Sequence, residues 1–282
     1  MQVIKDIQQV KQLCQDWKDK GESIAFVPTM GCLHAGHLSL VEKAQSLEDI
    51  DHIVVSIFVN PLQFNDKNDL LKYPSTLDKD VSLLDNYAVE LVFAPDAADF
   101  YPEGESDVSL VELGAVTEVL EGAERPGHFA GVATVVKRLF DLIEPKVAIF
   151  GEKDFQQLMV IKQLVKQFSQ NIDIIGMPTF REANGLAMSS RNLRLSDSQR
   201  DNAGAIYLLL NEIKAELKGG ETNYPELEQA ASDKLANLGF IPDYVAIREV
   251  ETLLTPKSSN SEKVTLIAAK LGDVRLIDNM RE

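Results

Sequence analysis

Basic residues, histidines and cysteines are all scarce in this sequence, and each shortage closes off a class of function. Lys and Arg number 28 against 44 Asp and Glu, a formal charge of −16 over 282 residues. A chain this acidic has no long-range attraction for nucleic acid or for an anionic membrane surface. An anionic substrate would have to be met by a local group of cations, so the placement of the few Lys and Arg is informative. The two cysteines, Cys14 and Cys32, form no CxxC pair and cannot build a disulfide framework. With four histidines and no cysteine pair, the three or four ligands of a zinc site are hard to assemble. No apolar run approaches the ~18 residues of a membrane helix. The opening stretch, MQVIKDIQQVKQLCQDWKDK, has the polar-faced pattern of a helix and lacks the apolar centre of a secretory signal. A cytoplasmic location is expected.

Hydrophobic residues make up 45% and charged residues 26%, an ordinary globular balance. Short β-branched runs at Ile24–Thr29, Ile53–Val59, Glu90–Ala94, Lys146–Phe150 and Ile172–Met177 read as strands. Helical patterns lie between them at Gly36–Leu47, Leu77–Tyr87, Val132–Leu142 and Phe155–Phe168. Nearly continuous apolar strands alternating with amphipathic helices predict an α/β fold, a doubly wound parallel sheet with helices on both faces. Beyond about residue 180 the pattern changes. A helix opens at Ser196-Asp197 and runs to Gly219-Gly220, and a second spans Pro225–Leu238. Strands follow at Tyr244–Val250, Val264–Ala269 and Val274–Asp278, with a polar loop over 255–263. The expected division is a sheet domain over 1–179 and a smaller α+β domain over 180–282.

Polar and glycine-containing clusters sit just after the strands. They are VPTMGCLHAGH (27–37), FVNPLQF (58–64), FGEKDFQQ (150–157) and MPTFREANGLAMSSRN (177–192). In an open parallel sheet, ligands bind at the carboxyl ends of the strands, so four such clusters predict one composite site. Gly36-His37 opens a helix, whose N-terminus favours phosphate, and His34 and His37 can hydrogen-bond phosphate oxygens during phosphoryl or nucleotidyl transfer. Capping of the helix and a metal pair are the alternatives for these imidazoles. Lys153 is a point charge suited to an ATP phosphate, Asp154 suits a helix cap or a ribose hydroxyl, and Gln157 lies one turn on. Ser189, Ser190 and Arg191 can wrap a triphosphate with fixed donors, or belong to a plain linker. Asn60 and Gln63 are uncharged groups suited to the carboxylate and hydroxyls of a hydroxy acid. Arg125 and His128 fall in what reads as a mobile loop ahead of a helix. Asp78 and Asp80, close to Tyr73-Pro74, are oxygen ligands for magnesium or caps for the helix that follows.

Taken together, PTMGxLHxGH, FVNPxQF, RPxHFxGVxTVVxxLF, FGEKDxQQ and REAxGLAMSSRN closely resemble the pantoate–β-alanine ligase family, in the family's order and over about residues 1–280. The histidine and SSR segments also resemble elements of the wider nucleotidyl-transferase superfamily, which implies a Rossmann-like fold. The resemblance implies ATP-dependent condensation of (R)-pantoate with β-alanine through a pantoyl adenylate, with AMP, pyrophosphate and pantothenate as products. It implies ATP contacts from Met30, Gly31, Cys32, Leu33, His34, Ala35, Gly36 and His37. Gly151, Glu152, Lys153, Asp154, Phe180, Met188, Ser189, Ser190 and Arg191 would complete that set. His37 would be the proton donor, with His34, Lys153 and Arg191 beside the phosphates. Gln63 and Gln157 would bind pantoate, Gln63 also lying near β-alanine, and Asp80 would contact Mg2+. The smaller domain would act as a lid, and two copies would pair as a homodimer. Ala35, Lys79 and Phe180 depart from the residues usual in the family.

Three other readings compete. A nucleotidyl transferase would share the histidine corner but not Gln63, Gln157 and the full MSSRN loop. A tRNA synthetase fits poorly with a charge of −16. An ATP-binding regulator without catalysis finds no missing residue type to support it.

Overall fold

The computed structural model describes residues 1–64, 70, 73, 76–258 and 260–282. Pro74 and Ser259, both within segments named above, lie outside the described residues. The chain divides into two compact units. The first comprises Met1–Glu152 and Gln157–Met177, the second Lys153–Gln156 and Pro178–Glu282.

The first unit is built on six strands: β1 (Gln2–Ile4), β2 (Ile24–Thr29), β3 (His52–Ile57), β4 (Leu91–Phe93), β5 (Val147–Gly151) and β6 (Asp173–Met177). They lie in the order β1-β4-β3-β2-β5-β6, and every pairing is parallel. Helices α1 (Ile7–Asp19), α2 (Ala35–Gln45), α3 (Leu77–Leu84), α4 (His128–Ile143) and α5 (Phe155–Gln167) connect them. Alternate strand residues point to opposite faces, and both faces are covered. Phe26, Val54, Leu91 and Phe93 pack with Val10, Trp17 and the buried side of α4. Ala25, Val27, Val55 and Val92 pack with Leu40, Val41, Ala44 and Leu84. That is why these strands read as continuous apolar runs.

From β2 the sheet grows one way through β3 and β4, and β5 and β6 are added on the other side of β2. The direction of winding therefore reverses between β2 and β5, the place where open α/β sheets bind ligands.

The second unit carries the antiparallel sheet β7-β8-β9 (Ile241–Glu249, Lys263–Leu271, Val274–Arg281). Helices α6 (Asp197–Ala203), α7 (Ala205–Lys218) and α8 (Tyr224–Asn237) accompany it. Leu209, Leu210, Ile213, Leu235, Ile247 and Ile267 form its core.

Two elements differ from expectation. The first residues are a short strand, Gln2–Ile4 pairing with Leu91–Phe93, before Asp6 caps α1 by accepting from Gln9 N. The helix expected from residue 196 to 219 breaks at Gly204, where a side chain would meet Asn184 O at 2.5 Å.

Gly131 ties the fold to the site. It lies within α4, where alanine would ordinarily be favoured by about 1 kcal/mol. A Cβ there would fall 2.3 Å from Leu62 O and 2.9 Å from Gln63 N. Overpacking of this kind costs roughly 1–3 kcal/mol, so the clash outweighs helix propensity. Gly131→Ala is expected to lower the thermal midpoint by about 2–6 °C, read by circular dichroism; a rise would refute the packing argument.

Candidate active site

After β2 the backbone turns through two residues at positive φ, Gly31 (+80°) and Cys32 (+53°). Asp80, on α3 and only 1% exposed, holds this turn. Its Oδ2 accepts from Cys32 N at 2.8 Å and its Oδ1 from Leu33 N at 2.8 Å. The Thr76 hydroxyl donates to Asp80 Oδ2 at 2.9 Å and also accepts from Cys32 N at 3.1 Å. Thr29 Oγ1 donates to Ser56 O and accepts from Gly31 N, fixing the entry to the turn. A side chain at Gly31 would press on Asp80 Oδ2 and Ile57, each 3.0 Å away. Asp80, expected as a magnesium contact, is thus engaged on both oxygens with the loop that carries the histidines. These bonds hold that loop in place. Burial first, and the Asp80 carboxylate second, push the Cys32 thiol above its ordinary range. The residue therefore stays a neutral thiol and adds no anion to the loop.

His34 is the N-cap of α2, and the capping reading of the histidine pair holds. His34 Nδ1 accepts from Gly36 N at 3.2 Å, and His37 Nδ1 from His34 N at 3.4 Å. The rings lie 4.1 Å apart at an interplanar angle of 37°. Capping does not exclude chemistry. A nitrogen that accepts an N–H carries no proton, so each neutral imidazole carries its proton on Nε2. Both rings are thereby fixed as Nε2–H donors at the N-terminus of a helix, an anion site by its own dipole.

After β3, Asn60 is 1% exposed, and all four of its amide positions have internal partners. Nδ2 donates to Gln63 Oε1 (3.1 Å) and Gly131 O (3.2 Å), while Oδ1 accepts from Leu62 N (3.3 Å) and Tyr101 OH (2.9 Å). Burial raises the Tyr101 phenol, which keeps it a donor. Asn60, expected at the substrate, orients the Gln63 amide. Since Gln63 Oε1 accepts from Asn60, Nε2 points the other way, 2.8 Å from Met30 Sδ. A thioether is a weak acceptor that a carboxylate oxygen readily replaces.

The segment read as a mobile loop is tied to the same residue. His128 Nδ1 meets Gln63 O at 2.8 Å, and His128 Nε2 meets Arg125 Nη1 at 3.1 Å. A carbonyl only accepts and a guanidinium only donates, so His128 is neutral with its proton on Nδ1. Arg125 Nη2 also reaches Gln63 O at 3.4 Å. Arg125, expected at substrate, is found bracing the backbone of Gln63.

In the second unit, Lys153 ends its side chain 3.6 Å from Asp154 Oδ1 and is 16% exposed. Residues 180–188 form a hairpin-like turn, with Met188 N donating to Phe180 O and Glu182 N to Leu186 O. Gly185 stands at φ +89°, where a Cβ would strike the Tyr207 ring at 2.3 Å. Ser189 Oγ accepts from Arg191 N and so caps the turn over Ser190–Arg194. Phe180 is exposed. Gln157, on α5, belongs to the first unit. Sequence reasoning did not single out Arg181, Glu182, Asn192, Asp278 or Asn279. Asn192 donates to Glu182 Oε1 and Ala187 O, and Arg200 pairs with Glu182 Oε2. The one available signal was that REAxGL and the Asn of SSRN travel together in the motif.

Among the described residues no group of three or more His, Cys, Asp or Glu is placed to hold a metal ion, and no helix is long and apolar enough to cross a membrane.

With this geometry in hand, the chain was compared with known proteins. The family described as pantoate-beta-alanine ligase matches residues 2–281. A pantothenate synthetase of Aliivibrio fischeri is 45% identical over 280 residues, covering 99% of this chain and 96% of the relative. One of Vibrio vulnificus is 47% identical over 279 residues, covering 99% and 92%. Among solved structures, a pantothenate synthetase from Thermus thermophilus superposes with a TM-score of 0.90 at 40% identity, covering 99% of each chain. The ligase from Francisella tularensis, complexed with beta-gamma ATP and beta-alanine, gives a TM-score of 0.83 at 38% identity, covering 100% of this chain and 97% of that one.

Two measurements check the geometry. Asp80→Asn replaces an acceptor by an N–H facing N–H groups, at a cost of about 2 kcal/mol. The KM for ATP is expected to rise roughly 30-fold, with the magnesium requirement unchanged; a raised magnesium requirement instead would restore Asp80 as a metal ligand. Nitrogen-15 NMR of the side chains at neutral pH is expected to show His34 and His37 protonated on Nε2 and His128 on Nδ1. The opposite tautomer at any of the three would contradict the hydrogen-bond assignment.

Proposed function

The chain belongs to the pantoate–β-alanine ligase family, and we propose that its reaction is run by the groups described above in the following roles. The reaction is the ATP-dependent condensation of (R)-pantoate with β-alanine to pantothenate. In the first half-reaction a pantoate carboxylate oxygen attacks the α-phosphorus. An acyl O–P bond forms, the bond to pyrophosphate breaks, and the electron pair leaves with pyrophosphate. In the second, the β-alanine amine adds to the acyl carbon and the C–O bond to AMP breaks as the nitrogen sheds a proton.

The observation that carries the assignment of roles is the pair of imidazoles held as Nε2–H donors at the start of α2, beside the switch point of the sheet. Negative charge grows on the pyrophosphate side as the bond breaks, and fixed donors aimed at that charge lower the barrier. His37 donates its Nε2–H hydrogen bond to the charge growing on the leaving phosphates, and His34 is its neighbour there. The loop Met30–His37 offers backbone N–H groups to ATP, and Gly151–Asp154, Phe180 and Met188–Arg191 serve the same nucleotide. Lys153 and Arg191 supply the cations that an otherwise acidic protein must concentrate locally. Gln63, with its amide nitrogen turned outward by Asn60, takes the pantoate carboxylate and lies near β-alanine, and Gln157 takes the far side of pantoate. Arg125 and His128 act on Gln63 through its backbone.

Magnesium would accompany ATP and offset the charge of its phosphates, while Asp80 holds the loop beside them. The mixed anhydride must be kept from water, a task assigned to the second unit. A homodimer and a cytoplasmic location complete the reading on the strength of the family resemblance.

The test follows the first half-reaction alone, as pantoate-dependent exchange of labelled pyrophosphate into ATP without β-alanine. Wild type is expected to exchange, and His37→Ala and Lys153→Ala each to fall about 10²–10³-fold with the fold retained. Near-wild-type exchange in both variants would show these role assignments to be wrong.

A further inference from the structure

The residues that carry the nucleotide motifs in the second unit meet on one strand that no motif marks. Along β9 the burial alternates from Val274 to Asp278, as expected of a strand with one face on a core. The alternation then breaks, because Asn279 is buried as well, at 6% exposure. A buried amide needs partners. Asn279 Nδ2 donates to the backbone carbonyl of Lys153 at 2.8 Å. Lys153–Gln156 is thus held by β9, although residues on both sides of it in sequence belong to the first unit.

The preceding residue serves the other motif. Asp278 takes both nitrogens of Arg181, Nη1 to Oδ2 at 2.5 Å and Nη2 to Oδ1 at 3.0 Å. Arg181 also donates to Gly185 O (3.0 Å) and Asn279 O (3.4 Å), and its guanidinium lies 4.2 Å from the centre of the Tyr207 ring. Asp278 Oδ1 accepts from Asn279 N at 2.8 Å, which stiffens the dipeptide itself. Arg181 is the residue whose strand bridge to Ala187 closes the turn leading to Ser189, Ser190 and Arg191. Two cation-bearing segments far apart in sequence, 153–156 and 178–192, are therefore fixed to adjacent residues of one strand.

We infer that Asn279 is a positioning residue for Lys153, and that the Asp278–Asn279 dipeptide keeps Lys153 and the Arg191 turn in register with each other before ATP binds. This rests on the reading of Lys153 as a phosphate contact. A lysine side chain has four rotatable carbons, so its ammonium can be placed only as well as its backbone is placed. Misplacement by about an ångström is enough to cost roughly 10²-fold in rate. The loss is expected in kcat of adenylation, because a cation that meets the leaving group acts mainly in the transition state.

A double-mutant cycle on Lys153→Ala and Asn279→Ala, read by pantoate-dependent pyrophosphate exchange well below each variant's thermal midpoint, tests this. Asn279→Ala is expected to lower kcat roughly 10- to 100-fold while the KM values for ATP and pantoate change less than about threefold. The double variant is expected to be no slower than Lys153→Ala alone, the signature of two residues acting as one. Asn279→Asp, which keeps the shape but offers no N–H to the carbonyl, is expected to be as slow as the alanine variant. Multiplicative losses, or full activity in Asn279→Ala or Asn279→Asp, would overturn the proposal while leaving Lys153 in place. Full activity in Lys153→Ala would instead remove the reading on which it rests.

Discussion

Gly31 and Cys32 stand side by side at positive φ, and a loop turned in that way persists only if something stronger than its strain holds it. A non-glycine residue in that region costs on the order of 1–2 kcal/mol. Hydrogen bonds from N–H groups to a buried carboxylate are worth roughly 1.5–3 kcal/mol each, and Asp80 accepts two from the backbone and a third from Thr76. The carboxylate wins by a clear margin. Much of this corner depends on it: the loop delivers His34 to the cap of α2, and the cap fixes the tautomers of both imidazoles, which in the roles proposed above decide which atoms face a phosphate.

The same logic recurs around the other groups assigned to the reaction. Gln63 is oriented by Asn60, which is oriented by Tyr101 and Gly131; its backbone is held by His128 and Arg125. Lys153 is held by Asn279, and the Arg191 turn by Arg181 and Asp278. Gln63, Lys153 and the Arg191 turn are thus each backed by a polar side chain that is itself hydrogen-bonded within the protein. Preorganisation of this kind lets fixed dipoles meet developing charge without reorganising first.

The architecture was legible because its signals are periodic. Strand Ile24–Thr29 and the start of the helix at Leu77 stand where the pattern put them, since a strand buried on both faces and an amphipathic helix write their contacts directly into the order of residues. Gln2–Ile4 escaped because a three-residue, half-exposed strand has no period to detect. The glycine at 204 escaped explanation because the Asn184 carbonyl that leaves no room for a side chain there is distant in sequence. The braces escaped for the same reason. Asp80 read as a metal contact and Asn60 and Arg125 as substrate contacts from their chemistry, while their hydrogen bonds to Cys32, Leu33 and Gln63 join residues whose pairing the order of residues does not reveal. Asp278 read as the last residue of a strand, and Asn279 lay just beyond the stretch read as strand.

The central claim, that the nucleotide loop is built before the nucleotide arrives, is tested most directly by hydrogen exchange at the Cys32 and Leu33 amides in the protein without ATP. If Asp80 holds the loop, both amides are protected in the free protein to about the degree of the neighbouring strand β2, and ATP adds little. Rapid exchange at both, with protection appearing only when ATP is added, would mean that the nucleotide shapes the loop and would contradict the account.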